Sequence, residues 1–99
     1  MGQTIEINRT IRQGEVLIFD TDRSLGGQDG EVYRSATEAE SEDSFPARLA
    51  ARLFASDPSV GEVFLASNAL SVRRRGGWDE AALSSARETV TGFFRFYRE

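Results

Sequence analysis

The side chains that could do chemistry in this chain are carboxylates, hydroxyls and arginines, because its 99 residues include no cysteine and no histidine. Thiolates and imidazoles are the usual ligands of zinc and iron–sulfur clusters, and imidazole is the commonest general base. Lysine is also missing, so the chain has no amine for a Schiff base and no phosphate-loop lysine. This composition predicts no cofactor site and no metal site, although converging carboxylates could hold an iron ion weakly as a hard cation.

An enzyme built on carboxylates alone would have to use acids such as Asp22, Asp29 and Glu31. It would need two acids whose pKa values are pushed apart by burial or by neighbouring charges. These acids lie in a polar loop. For a metal site, Asp20, Asp22 and Asp29 with the pair Gly26 and Gly27 match a calcium-binding EF-hand loop poorly. The pair Ser84 and Ser85 has no histidine to activate it. We therefore predict that the chain is not an enzyme.

The only basic run consists of Arg73, Arg74 and Arg75, and the charge of the chain is uneven around it. Residues 1–44 carry four arginines against ten acids, a net of −6, and residues 45–99 carry eight arginines against six acids, a net of +2. A chain that is acidic overall is a poor candidate for nucleic-acid binding, which rewards basic surfaces. The run could bind an anion or an acidic partner, or it could discourage pairing at a strand end.

Aromatic residues crowd the C-terminal end of the chain, at Phe93, Phe94, Phe96 and Tyr97. They span more than one face of a helix, so they could either fill the core or form an exposed patch for a partner. The surface that the sequence offers to a partner therefore consists of Arg73, Arg74, Arg75, Phe94 and Phe96.

Two hairpins would position these residues. Alternating polarity predicts a strand over 4–11, and a compact apolar run predicts its partner over 15–20. The stretch 60–75 divides into two further strands around Ser67 and Asn68. Asparagine tolerates positive φ at a turn, so we assign this stretch to a second hairpin.

Two helices would cover the second hairpin. The first spans 45–54, with Ser44 as its N-cap, and the second spans 79–97. Gly92 should cost the second helix about 1 kcal/mol relative to alanine, which predicts close packing at that point. Trp78 is expected to anchor the loop before this helix in the core.

The expected fold is a two-layer α+β sandwich, hairpin–helix–hairpin–helix, in which a mainly antiparallel sheet carries two helices on one face. It would form a single domain over 1–99. Residues 20–44 read as a mobile polar loop, within which 31–34 could form a short third strand. The sequence shows neither a signal peptide nor an apolar run long enough to span a membrane, so a cytoplasmic location is expected.

The second half of the chain also carries a succession of structural residues. A helix ending in Arg-Leu-Phe is followed by a hairpin rich in valine, a lone tryptophan and a helix with a Phe-Phe pair. These residues are Arg52, Leu53, Phe54, Val60, Val63, Phe64, Leu70, Ser71, Val72, Trp78, Phe93 and Phe94. The succession resembles the N-terminal domain of the Nfu/NifU-type iron–sulfur scaffold proteins. It departs from that family at Gly61, which follows Val60 instead of preceding it, and at Ala69, where the family usually has an aromatic.

The resemblance implies a role in iron–sulfur cluster biogenesis. In that family a Cys-X-X-Cys motif in a separate domain holds the cluster, and this chain has no such motif. The resemblance therefore implies a non-enzymatic module that contacts a Cys-X-X-Cys scaffold domain in trans. The alternative is a generic protein-binding module unrelated to iron–sulfur assembly.

Overall fold

The computed structural model describes residues 6–22, 24–25 and 28–96, the last three through their backbone only. The five strands are β1 (Ile7–Gln13), β2 (Val16–Thr21), β3 (Glu31–Tyr33), β4 (Val60–Ala66) and β5 (Ala69–Arg74). The three helices are α1 (Ala36–Glu40), α2 (Phe45–Ser56) and α3 (Glu80–Phe96). The strands form one sheet in the order β1-β2-β5-β4-β3, and every neighbouring pair is antiparallel. The predicted α+β sandwich is confirmed.

The second predicted hairpin lies at the centre of the sheet. β5 is the middle strand, paired with β4 on one side and with β2 on the other. Side chains alternate between the two faces of a strand, so every second residue of these strands points to the helices. Those residues join buried residues of α2 and α3 in a single core cluster. Its largest fully buried side chains include Leu17, Phe19, Leu49, Leu53, Val63, Leu65, Leu70, Val72 and Val90.

Side-chain caps start the two long helices: α2 begins where the sequence predicts, and α3 begins one residue later than predicted. Ser44 Oγ accepts a hydrogen bond from the amide of Ala47 at 3.3 Å, and Asp79 Oδ1 accepts one from the amide of Ala82 at 2.8 Å. Each satisfies an amide that has no partner inside the helix. α2 ends at Ser56, one residue before an extended residue that precedes a proline.

The polar segment 20–44 contains more secondary structure than the sequence predicts. It contributes β3, which pairs with β4, and the short helix α1. Three apolar residues attach it to the core: Leu25, Tyr33 and Ala39 are each at most 2% exposed. The possible third strand is therefore present as β3, whereas the interpretation of residues 36–40 as loop was wrong, because they form α1. The mobility of the segment stays a prediction, which amide exchange faster than that of α2 would support.

The turn between β4 and β5 differs in detail from the expectation. Ser67, not Asn68, has the positive φ, at 52°. Asn68 instead ties the turn to the end of β2: its Nδ2 donates to the carbonyl of Thr21 at 3.0 Å, and its carbonyl accepts from the Thr21 amide at 2.9 Å. The asparagine therefore stabilises the junction of the two hairpins.

Among the described residues, no helix is long and apolar enough to cross a membrane.

Candidate functional site

The three arginines of the basic run do not lie on one surface. Because side chains alternate along β5, Arg74 points away from Arg73. Arg74 Nε donates to Asp57 Oδ2 at 2.7 Å, and its Nη1 donates to the carbonyl of Gly77 at 2.8 Å. Its guanidinium also lies 5.9 Å from the ring centre of Trp78, within the range of a cation–π contact. Arg74 therefore connects the two loops that flank the hairpin, and its guanidinium is not available to bind a partner.

The electrostatics of this pair agree with a structural role. Burial is the largest single influence on the pKa of the Asp57 carboxyl and raises it, whereas hydrogen bonds from Arg74 and from the Ser59 amide lower it. The positive charges of Arg74 and Arg75 act in the same direction, and the net pKa is lowered. Hydrogen bonding to Asp57 in turn raises the pKa of Arg74. The carboxylate therefore stays charged at neutral pH and fixes the guanidinium.

Trp78 anchors its loop, as predicted. Its side chain is buried, and Nε1 donates to the carbonyl of Glu15 at 2.9 Å, in the turn between β1 and β2. Arg75 is exposed and donates to the carbonyl of Pro58 at 2.8 Å. Arg73 is also exposed and makes no hydrogen bond or ion pair to any residue that the structure describes. Of the three arginines, Arg73 is the one that makes neither a hydrogen bond nor an ion pair among the described residues, so its side chain is available to another molecule.

The aromatic end of α3 is described only in part. Phe93 is buried and meets Phe45 edge-on, with 5.5 Å between the ring centres. The side chains of Phe94 and Phe96, which the sequence assigns to a partner surface, lie outside the described residues. The assignment of those two side chains stays a prediction.

A groove of about 410 Å³ runs between α2 and α3 beside Phe93. Its lining combines small residues, one aromatic wall and two opposite charges; it includes Arg52, Ala55, Ser56, Glu88, Gly92 and Phe93. The guanidinium of Arg52 lies 5.8 Å from the centre of the Phe93 ring. Within the described part of the chain, neither Arg52 nor Glu88 uses its charged group in a hydrogen bond or an ion pair. The groove therefore presents one free positive and one free negative charge.

Gly92 marks this groove, and the prediction of close packing there was wrong. A Cβ built at Gly92 would meet no atom outside its own helix turn within 4 Å. The glycine leaves open space instead of admitting a neighbouring element. Because a glycine in a helical pattern signals either close packing or a gap, the sequence could indicate the position but not the kind of feature.

A second surface is the face of the sheet opposite the helices. One row of side chains crosses all five strands in register: Ile11 pairs with Ile18, Ile18 with Ser71, Ser71 with Phe64, and Phe64 with Val32. Four of its five members are apolar, and Val32 is 37% exposed. We call this row the apolar row. No helix among the described residues packs on this face, because the core residues of the strands all belong to the other face.

The rows on either side of the apolar row mix polar and apolar residues. On one side Val16 pairs with Arg73, and Arg73 pairs with Glu62. On the other side the register brings Asp20 next to Ala69, which pairs with Ala66. Alternation along β4 means that only one of Phe64 and Leu65 faces the helices. Bringing the outward apolar residues of five strands into one row requires the strand order, which a single strand does not show.

The acids that a carboxylate enzyme would need are scattered. Asp22 follows β2, Asp29 lies in a turn and Glu31 begins β3, and all three are exposed. Asp22 Oδ1 accepts a hydrogen bond from the Glu6 amide at 3.1 Å. In the described ranges, no group of three acids lies close enough together to hold a metal ion.

Comparison with known proteins adds information on the fold alone. No protein-family model matches the chain, and no curated protein matches it. The crystal structure of protein SAV1430 from Staphylococcus aureus is similar, with a TM-score of 0.64 and 12% sequence identity. The match covers 86% of this chain and 98% of that one. The architecture is therefore shared by a solved protein of almost unrelated sequence.

Proposed function

We propose that the chain is a non-enzymatic interaction module of iron–sulfur cluster biogenesis that contacts a Cys-X-X-Cys scaffold domain in trans. The observation that carries the interaction part is the α2–α3 groove, which combines an aromatic wall with two unpaired charges of opposite sign. Concave sites with an apolar lining and a few placed polar groups are typical of recognition surfaces. A cytoplasmic location belongs to the same proposal.

The iron–sulfur part of the proposal is supported by the resemblance. The residues that carry it have consistent roles in the fold: Leu53, Val63, Leu70 and Val72 lie in the core, and Trp78 closes it from the loop before α3. The groove lies beside Phe93, the first member of the Phe-Phe pair. The residues that carry the resemblance therefore lie in the core and on α3, the helix that lines the groove.

The chain itself would hold no cluster, because it contains neither thiolate nor imidazole. Anaerobic reconstitution of the pure chain with iron and sulfide, followed by visible absorbance, tests this statement. We expect no stable chromophore. A chromophore that survives gel filtration would contradict the proposal that the chain acts only in trans.

Amide shifts of the labelled chain during titration with a Cys-X-X-Cys scaffold domain test the contact. We expect the shifts to concentrate on the α2–α3 groove. The decisive variant is Gly92→Leu, which fills open space and replaces a poor helix former by a good one. It should keep or raise stability and weaken binding of the scaffold domain.

The matched control for this variant is Ser84→Leu. Ser84 is exposed on the same helix and does not line the groove, so this variant should bind like wild type. If Gly92→Leu binds as tightly as Ser84→Leu, the groove is not the contact. If no amide shifts at high excess of the scaffold domain, the generic binding module becomes the better explanation of the groove.

A further inference from the structure

The open face of the sheet carries an apolar row that nothing in the proposed function uses. We propose that this face is a homodimer interface, in which two sheets pack face to face about a two-fold axis that runs along the strands between β4 and β5. In that arrangement β5 of each copy lies over β4 of the other. A two-fold interface requires that the face be complementary to itself, so that residue i meets j and j meets i.

The register gives this complementarity at the centre of the face. Phe64 and Ser71 are direct cross-strand neighbours on β4 and β5. The axis between these strands places Phe64 of one copy over Ser71 of the other, and the reverse. A large side chain thus meets a small one twice, as close packing between two sheets requires. Further out, Ile18 on β2 meets Val32 on β3.

The charges of the adjacent row agree with the same axis. Arg73 and Glu62 are cross-strand neighbours, and neither side chain makes a hydrogen bond or an ion pair with any described residue. The axis places Arg73 of each copy over Glu62 of the other, so both charges gain a partner. A two-fold axis perpendicular to the strands would instead place the Phe64 residues of the two copies over each other. It would also place Arg73 of one copy over Ala69 of the other, and the charges of Arg73 and Glu62 would stay unpaired.

The size of the face predicts a weak dimer. The axis between β4 and β5 overlaps β2, β5, β4 and β3 of the two copies and leaves β1 outside the overlap. Three strand spacings of about 4.8 Å and a rise of four residues at about 3.4 Å span roughly 14 by 14 Å. With the side chains at the margins, each copy contributes roughly 300 to 400 Å², so the total lies below the roughly 1,000 Å² of a specific interface. We therefore expect self-association in the micromolar range or weaker, visible as a concentration-dependent mass.

This inference does not depend on the role in iron–sulfur assembly. The interface uses the face of the sheet opposite to α2 and α3, and its test needs only the pure chain. If the scaffold titration shows no binding, the homodimer proposal still stands. If the chain does not dimerise, the proposal for the groove still stands.

Analytical ultracentrifugation over a wide concentration range tests the proposal. Wild type should pass from monomer to dimer. Glu62→Arg and Arg73→Glu should each weaken dimerisation about tenfold or more, because each places like charges over one another twice. An equimolar mixture of the two variants should restore it, because each variant then meets the complementary charges of the other. Glu40→Arg, the same charge change on the exposed surface of α1, should leave dimerisation unchanged.

The mixture separates a lost interface from a misfolded variant, since a misfolded chain would not recover its dimer when mixed with another variant. A wild type that stays monomeric at every concentration would overturn the proposal. So would a dimer that tolerates both charge reversals, or one that the mixture fails to restore. Amide shifts on the open face upon adding a scaffold domain, with no self-association, would assign the face to a partner instead.

Discussion

Replacing Gly30 by alanine should destabilise the protein through two separable effects. Gly30 has φ +86°, a conformation that costs an L residue about 1 to 2 kcal/mol. A Cβ at this position would also lie 2.8 Å from Cε1 and Cζ of the Phe64 ring, which must move away. Because Phe64 is half-buried on the open face, its ring can turn at a cost of about 1 kcal/mol. The expected loss for Gly30→Ala is about 2 to 3 kcal/mol.

Two comparisons separate the effects. Gly76 has φ +87°, and a Cβ there would meet no atom within 4 Å, so Gly76→Ala reports the backbone cost alone. In a Phe64→Ala background the collision is removed, and Gly30→Ala should cost only as much as Gly76→Ala. The double-mutant cycle should therefore give a coupling of about 1 kcal/mol between Gly30 and Phe64.

Urea unfolding followed by circular dichroism measures the free energies of unfolding of the four proteins in the cycle and of Gly76→Ala. The comparison holds if the dependence of the free energy on urea concentration is equal for all of them. A loss below about 0.5 kcal/mol for Gly30→Ala would refute the strained conformation, since the backbone cost alone exceeds it. A loss that does not change in the Phe64→Ala background would refute the position of the ring. The cycle therefore tests, through one residue pair, how the start of β3 is placed against β4.

Three further predictions concern stability. Leu65→Ala, which empties a fully buried site, should cost about 3 kcal/mol, whereas Phe64→Ala should cost about 1 to 2 kcal/mol; equal urea midpoints for both would contradict their opposite orientations. Asp57→Asn should lose about 1 to 3 kcal/mol at pH 7 with its charged hydrogen bond to Arg74. Because the pKa of Asp57 is lowered, that difference should persist above pH about 4 and vanish as the pH falls through the folded-state value; a pH-independent difference would be inconsistent with this. Gly92→Ala should gain about 1 kcal/mol, and a loss in thermal unfolding would mean that the groove is closed.

The periodic parts of the fold were predictable because their signals are local. Alternation along β4 and β5 and the four-residue spacing of α2 are visible in any short window of sequence, and the cap at Ser44 fixes where α2 begins. β3 was left open because a three-residue strand has too few residues to show alternation. Its existence depends on pairing with β4, about thirty residues away.

The candidate surfaces were less predictable because they depend on contacts distant in sequence. The basic run appeared as one feature, yet alternation on β5 separates Arg74 from Arg73. The residue that takes Arg74 out of the run is Asp57, seventeen positions earlier and in a different loop. Similarly, the apolar row needs the strand order to bring β1 and β3 to its ends. A cluster of like residues in sequence is therefore weaker evidence for a surface than a set that the sheet register assembles.

The two proposed surfaces lie on opposite layers of the molecule, and this has a consequence for binding. When two open faces meet, the helices of both copies form the outer layers, so each α2–α3 groove stays accessible. A dimer would therefore present two grooves and could hold two scaffold domains at once. If those domains are themselves linked, the second contact becomes intramolecular and the complex tightens without any new contact. Because neither surface shares a residue with the other, a single scaffold domain should bind the charge-reversed monomers as tightly as it binds wild type. Dimerisation and scaffold binding are then coupled only when the partner is multivalent. A linked pair of scaffold domains should therefore bind the dimer more tightly than the monomer, whereas a single domain should bind both equally.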